Sequence, residues 1–520
     1  MKKTVHFLLT IQIALAISIS SYAQQSEIMI NTEKAEHTIN KNIYGHFSEH
    51  LGTLIYGGIW VGEDSDIPNT EGYRTDVLEA LKELKVPVLR WPGGCFADTY
   101  HWKDGIGPKE ERPSIVNVFW GGVTEDNSFG THEFLNFCEL IDTEPYLSIN
   151  VGTGTVQEAV DWVEYVTSSN ESPMTDLRKK NGREDPWDVK FWGIGNETWG
   201  CGGEMRPEYY ADIYRHFAGY IRGSDFQRIA VGPSSGDYNW TEKLMAGLEG
   251  KMHLTQGISL HHYTLPTNSW SGSKGSSINF EEDMWFNTFK HTLVVEEFIQ
   301  KHLEIMDKYD PEGKVPLIVD EWGTWYDALP GTNPGFLQQQ NSLRDALVAG
   351  VNLNIFNNHA ERVSMANIAQ IVNVLQAMIL TDGPEMVKTP TYYAFKMYNV
   401  HQDALLLPTQ INTPYYTYND ESLPAVNVSA SQEENGNVNV TLTNIDPDNA
   451  VSTTIRTDKN DEFEVVSAEF ITADKIDAYN KFGEEEEVNI QAFDGFKVKK
   501  ETLKVDLPSK SVVLLTLKKK

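Results

Sequence analysis

Two carboxylates stand where a protein interior has no ordinary use for them. Glu197 ends the run Phe191-Trp192-Gly193-Ile194-Gly195-Asn196, and Glu321 ends Val315-Pro316-Leu317-Ile318-Val319-Asp320, with Trp199 and Trp322 close behind. Both runs are short, apolar and rich in β-branched or aromatic residues, which is the composition of a buried parallel strand. Strand interiors exclude acids, whereas the carboxyl end of a barrel strand is where catalytic groups are mounted. The two glutamates are far apart in sequence, so only a closed or strongly curved sheet brings them together. Once together, their chemistry is glycoside hydrolysis by a carboxyl pair.

The surroundings divide the roles. Glu197 precedes the turn Gly200-Cys201-Gly202-Gly203, a loop from which it can reach a leaving-group oxygen, and Glu321 projects from the firmer end of Leu317-Ile318-Val319. A general acid must hold its proton at working pH, and a negative nucleophile nearby raises its pKa. Carboxyl groups about 5 to 5.5 Å apart give retention of configuration. A lone Glu beside Trp is equally well a hydrogen-bonded strand cap; two such endings at matching places are harder to explain that way. Strict alternation puts Asp320 on the opposite face from Glu321, toward the helices.

The elements that must position this pair alternate. Strands are expected at 42–50, 86–94, 146–151, 191–197, 228–233, 257–263, 315–322 and 353–359, with helices at 73–85, 132–141, 156–167, 207–221, 240–248, 289–309, 338–349 and 365–379. Eight strand-then-helix units are what a (β/α)₈ TIM barrel needs, here over 43–385. Glu197 then ends the fourth strand and Glu321 the seventh, on one rim. An open doubly wound sheet would also alternate, but no glycine-rich phosphate loop recommends it. From 386 to 520 long helical patterns give way to period-two runs between Asn, Asp and Gly turns, as in Val438-Asn439-Val440-Thr441-Leu442-Thr443, which predicts an antiparallel β-sandwich. The strand expected within 24–42 has no barrel partner and is assigned to that sandwich.

Composition narrows the ligand. The 520 residues favour more than one domain, and a formal charge of −31 repels polyanions, so nucleic acid and anionic membranes are excluded as partners and a neutral ligand fits. Lys2 and Lys3, an apolar run from Val5 to Ile19 and Ser21-Tyr22-Ala23 form an export signal over 1–23 and predict a soluble periplasmic or extracellular protein rather than a membrane-inserted one. Cys95, Cys138 and Cys201 have neither a disulfide framework's number nor a zinc site's spacing. His261 and His262 lack a third ligand at suitable spacing, so no metal and no cofactor are expected.

Four blocks carry a resemblance. Tyr44-Gly45-His46-Phe47-Ser48-Glu49-His50-Leu51-Gly52, Leu89-Arg90-Trp91-Pro92-Gly93-Gly94, Gly195-Asn196-Glu197-Thr198-Trp199-Gly200 and Asp320-Glu321-Trp322 resemble the signature set of glycoside hydrolase family 51, the α-L-arabinofuranosidases, in the right order over nearly the whole mature chain. The resemblance implies a retaining exo-hydrolase that releases terminal arabinofuranose from arabinan, arabinoxylan or their oligosaccharides, and it suggests a homo-oligomer. It implies Glu197 as acid/base and Glu321 as nucleophile, Glu49 on sugar hydroxyls, Arg90 holding the pocket carboxylates, Asn196 on the 2-hydroxyl, Tyr263 beside the nucleophile and Gln370 closing the pocket. Where the family pattern reads Gly-Gly-Asn, this chain has Gly93-Gly94-Cys95, so the Cys95 position loses one amide contact to a sugar hydroxyl. Cys95 and Cys201 follow the second and fourth strands; rim loops rarely meet a disulfide's Cα spacing, so the pair is expected unbonded. A β-xylosidase or endoglucanase on the same barrel, and a non-catalytic carbohydrate-binding protein, are the rival readings.

Overall fold

The computed structural model describes residues 24–520, so the expected export signal at 1–23 lies outside the described residues. Eight parallel strands close into a barrel: Gly45–Phe47, Val88–Trp91, Glu144–Ile149, Phe191–Ile194, Gln227–Ala230, Gly257–Thr264, Leu317–Thr324 and Val363–Ala369. Closure comes from the first strand, whose Phe47 pairs with Arg90 on one side and Ala369 on the other. Val88, Tyr146, Ile229, Ile318 and Met365 fill the lower interior as a small apolar cluster, so the barrel is a packed core with its open end at the strand carboxyl termini.

Seven strands fall where the sequence places them, and the eighth does not. Leu343–Asn358 is one helix, so the strand expected at 353–359 is its last turns. The true eighth strand is Val363–Ala369, where a helix over 365–379 is expected. The helix is buried on every face from Leu343 to Asn357. A segment without a polar side shows no helical period, and its apolar tail is then indistinguishable from a strand.

Two larger sheets stand beyond the barrel. One has five strands and includes Gln24–Ile30; the other has six, centred on Val438–Asn444 and Ser511–Lys519. The pairing is antiparallel except between Gln24–Ile30 and Val451–Thr457, which run parallel. The described residues thus begin in the sandwich and then enter the barrel.

Candidate active site

Glu49, Cys95, Glu197, Tyr263, Glu321 and Gln370 line one pocket at the barrel mouth, with a cavity volume of about 270 Å³. Arg90 and Asn196 lie directly beneath it, each 1% exposed. One oxygen each of Glu197 and Glu321, with a ring nitrogen of His261, fall within 4.8 Å of one another. The sequence-predicted residues therefore converge from all sides of the rim, and the acid pair has the close spacing of a double displacement rather than the wider gap that admits a water between the carboxyls.

Glu321 and its neighbour depend on an irregularity. The seventh strand slips register against the eighth between Val319 and Trp322. Trp322 packs outward on Phe356 and Phe395, and Asp320 turns inward to accept hydrogen bonds from Tyr146 Oη at 2.7 Å and His261 Nε2 at 3.1 Å. Both carboxylates thus face the interior. The expectation that Asp320 points toward the helices fails because a bulge supplies two consecutive inward residues, which strict alternation forbids.

Glu321 receives two donors. Arg90 Nη1 donates to its Oε2 at 2.9 Å and Tyr263 Oη to its Oε1 at 2.7 Å. Arg90 Nη2 also donates to Asn196 Oδ1, and its guanidinium lies 4.6 Å from the centre of the Phe47 ring. An apolar wall on one face and acceptors along the edge fix the orientation of this buried cation. Burial pulls the Arg90 pKa down, but Asp320 and Glu321 together raise it, so the charge persists.

Glu197 sits at φ 39°, in the left-handed region that side chains seldom adopt. Its carbonyl accepts from Gly200 N at 2.7 Å and Gly202 N at 3.1 Å, so the turn after the strand holds the conformation. Such held strain is common where a reacting group must be aimed. Burial first, then the charge of Glu321, raise the Glu197 pKa, with His261 and Arg90 opposing. A carboxyl with a raised pKa beside an ion-paired carboxylate is the asymmetry an acid and a nucleophile require.

His261 carries no role in the sequence-based expectation, yet it lies against both glutamates. Its Nδ1 meets Glu197 Oε1 at 2.9 Å and Glu321 Oε2 at 3.4 Å, while Nε2 meets Asp320. Burial alone would lower its pKa, but Glu321, Asp320 and Glu197 outweigh burial and push it up to about 10. The ring is an imidazolium lodged between three carboxyl groups. Its signal in the sequence was the alternation His261-His262-Tyr263, which turns His261 and Tyr263 to one face.

Glu49 lies flat against the backbone at Gly94, where a Cβ would come within 2.7 Å of its carboxyl oxygen. It accepts from Phe96 N at 3.0 Å, Trp120 Nε1 at 2.8 Å and Gln370 Nε2 at 3.2 Å. Burial, then Glu321, raise its pKa to about 7. Gln370 thus lines the pocket beside Glu49, and it follows the strand Val363–Ala369 rather than sitting in a helix. Trp120, Trp270 and Trp325 complete the pocket wall; Trp120 and Trp270 come from rim loops whose sequence carried no readable code.

Cys95 and Cys201 are joined by a disulfide with Cα atoms 5.5 Å apart. The expectation of unbonded thiols is corrected: Asp98 accepts backbone N–H groups from Val151, Gly152 and Asn196 at 2.9, 3.0 and 3.2 Å, and this carboxylate draws the loops after the second and fourth strands together.

Comparison with known proteins agrees with this geometry. Residues 80–275 match the family "Alpha-L-arabinofuranosidase 1 domain", and 320–511 the "Alpha-L-arabinofuranosidase C-terminal domain". The chain is 53% identical to "Intracellular exo-alpha-L-arabinofuranosidase" of Bacteroides ovatus over 97% of this chain and 98% of that protein. It superposes with TM-score 0.93 and 48% identity on the crystal structure of a GH51 arabinofuranosidase from Xanthomonas axonopodis pv. citri, covering 95% of this chain and all of that one. A Thermotoga maritima α-L-arabinofuranosidase in an arabinose complex gives TM-score 0.81 at 30% identity, again over 95% of this chain and all of that one. The expectation of export is overturned by the Bacteroides ovatus relative, which matches nearly end to end and is named intracellular.

Proposed function

This chain belongs to the α-L-arabinofuranosidases of glycoside hydrolase family 51, and from that premise we propose that Glu321 attacks the anomeric carbon of a terminal arabinofuranose while Glu197 protonates the departing oxygen. As a member of the family it is a retaining exo-acting glycoside hydrolase whose substrate is an arabinose-containing glycan. The observation that carries the assignment of roles is the approach of Glu197 and Glu321 around His261. Arg90 and Tyr263 orient the nucleophile. Formation of the glycosyl ester neutralises Glu321, which removes one of the two influences that raise Glu197, and Glu197 then accepts a proton from the attacking water.

Substrate contacts follow from the donors and acceptors left at the rim. Asn196 reaches the 2-hydroxyl, while Glu49 and Gln370 bind the remaining hydroxyls, and the Cys95 position contacts the sugar without the amide that Asn would add. Trp270 and Trp325, with ring centres 5.2 Å apart, offer apolar faces to the next sugar. Arabinan, arabinoxylan and their oligosaccharides are the substrates of this reading, acted on by a homo-oligomer that sediments as more than one chain.

Substitution separates the two roles. Glu321→Ala abolishes turnover of every aryl arabinofuranoside. Glu197→Ala slows substrates with poor leaving groups by about 10²–10⁴-fold and good ones far less. Equal losses on both leaving groups would remove Glu197 from the acid role. Release from an aryl xyloside or glucoside, with none from the arabinofuranoside, would overturn the sugar while leaving the mechanism.

A further inference from the structure

Glu197 has a second neighbour that the hydrolytic mechanism does not use. One of its oxygens faces His261, and the other, Oε2, lies 3.6 Å from Sγ of Cys201. Cys95, bonded to Cys201, lines the same pocket and is reached from its mouth. Ligand atoms of Cys95, Glu197 and Cys201 all fall within 4.8 Å of one another.

We propose that reduction of the Cys95–Cys201 bond creates a binding site for a soft or borderline divalent cation, such as Zn²⁺ or Cd²⁺, formed by both sulfurs and Glu197, and that the bound ion silences hydrolysis. The geometry is that of a tetrahedral site. With Zn–S about 2.3 Å and Zn–O about 2.1 Å, two sulfurs are separated by about 3.8 Å and a sulfur and an oxygen by about 3.6 Å. The second spacing is the one found between Cys201 and Glu197. The first becomes available when the bond opens, because Cα atoms 5.5 Å apart allow side-chain rotation to separate the sulfurs.

The frame survives reduction. Asp98, 2% exposed, binds the amides of Val151, Gly152 and Asn196, so the loops bearing both cysteines stay joined without the disulfide. Two further features give the thiolates preference over other donors nearby. His261 has both ring nitrogens engaged, Nδ1 by Glu197 at 2.9 Å and Nε2 by Asp320 at 3.1 Å, which disfavours the alternative group Glu197, His261 and Glu321. Thiolates also select soft cations over Mg²⁺ and Ca²⁺. Cys138 is buried in the helix Thr131–Ile141 and takes no part in the cluster.

The reaction balances. Two thiols of an external reductant pass two electrons and two protons to the disulfide, leaving their own disulfide and two cysteine thiols; the metal then displaces those two protons and the proton of the Glu197 carboxyl. The ion occupies the carboxyl oxygen that would carry the acid's proton, so turnover stops.

The test uses the full chain, reduced with a dithiol and desalted without air. Co²⁺ is expected to bind once with a thiolate-to-cobalt charge-transfer band that Zn²⁺ displaces. Zn²⁺ should lower aryl arabinofuranoside hydrolysis at least tenfold, reversibly on adding a chelator. The oxidised protein should show neither effect, and Cys201→Ser, checked for folding by circular dichroism, should show no band. Absence of the band in the reduced protein overturns the site. Equal Zn²⁺ inhibition of oxidised and reduced protein overturns it too, in favour of Glu197, His261 and Glu321. The silencing rests on Glu197 being the acid/base but the band does not, so a band without inhibition overturns the silencing alone.

Discussion

Glu49 shows how much a single side chain gives up to serve a site. It is 2% exposed, and its pKa is raised from 4.5 to about 7 by burial and by Glu321. The folded chain therefore keeps this proton to about pH 7, whereas the unfolded chain releases it near 4.5. Stability tied to Glu49 is fully present below 4.5 and is lost as pH rises to 7. Glu49→Gln does not titrate, so its stability relative to the wild type should rise between pH 5 and pH 8, by at most about 3 kcal/mol. Urea unfolding of both proteins at the two pH values measures this, and a relative stability that falls with pH would show that Glu49 is buried ionised. Activity should drop in the same variant. At this scale the sequence was legible wherever a residue type announced itself: Glu197, Glu321, Arg90 and Tyr263 all stand beside or beneath one pocket. Asp320 and Asp98 were not legible. One is turned by a bulge and the other is fixed by backbone amides, and neither cause leaves a pattern in residue types.

The element that shapes the pocket rim is the hairpin of Ile115–Asn117 and Val123–Glu125. It is anchored to the end of the first strand: His50 Nδ1 meets Glu125 Oε2 at 2.9 Å in a buried pair, and Asn117 Nδ2 donates to His50 O at 2.6 Å. Between the two strands, Asn117 Oδ1 accepts from Trp120 N, and the Trp120 indole donates to Glu49. The hairpin thus delivers one donor to the Glu49 carboxyl in the pocket. Trp120→Phe keeps the ring and removes that donor, so KM should rise about tenfold with kcat nearly unchanged, in keeping with one hydrogen bond of 1 to 1.5 kcal/mol. A fall in kcat at constant KM would instead place Trp120 in the chemical step. A helix shows its period in the sequence when one face meets water. The helix Val156–Thr167, with a solvent face, coincides with its expected range, whereas Leu343–Asn358, buried all round, was split into a helix and a strand.

That same buried helix decides how the whole molecule behaves, because the barrel and the sandwich share it. Tyr44 donates to Asn357 Oδ1 from the barrel side, while Asn357 Nδ2 donates to Ser429 Oγ in the sandwich at 3.1 Å. Asn354 Oδ1 lies 2.8 Å from both Ser429 Oγ and Thr441 Oγ1 and 3.0 Å from Tyr398 Oη. Trp285 Nε1 donates to Ile445 O, and Gln24–Ile30 pairs within a sandwich sheet before the chain enters the barrel. Separating the two parts would expose the second apolar face of the helix and leave these polar groups unpaired, so neither part is complete alone. Calorimetry should therefore show one unfolding transition, with activity and far-ultraviolet circular dichroism lost at the same temperature. Asn354→Ala leaves buried hydroxyls without their acceptor and should lower stability by about 2–4 kcal/mol, moving that single transition without splitting it. Two resolved transitions in the wild type, or a variant in which only the sandwich melts early while hydrolysis persists, would show that the barrel folds independently of the domain packed against it.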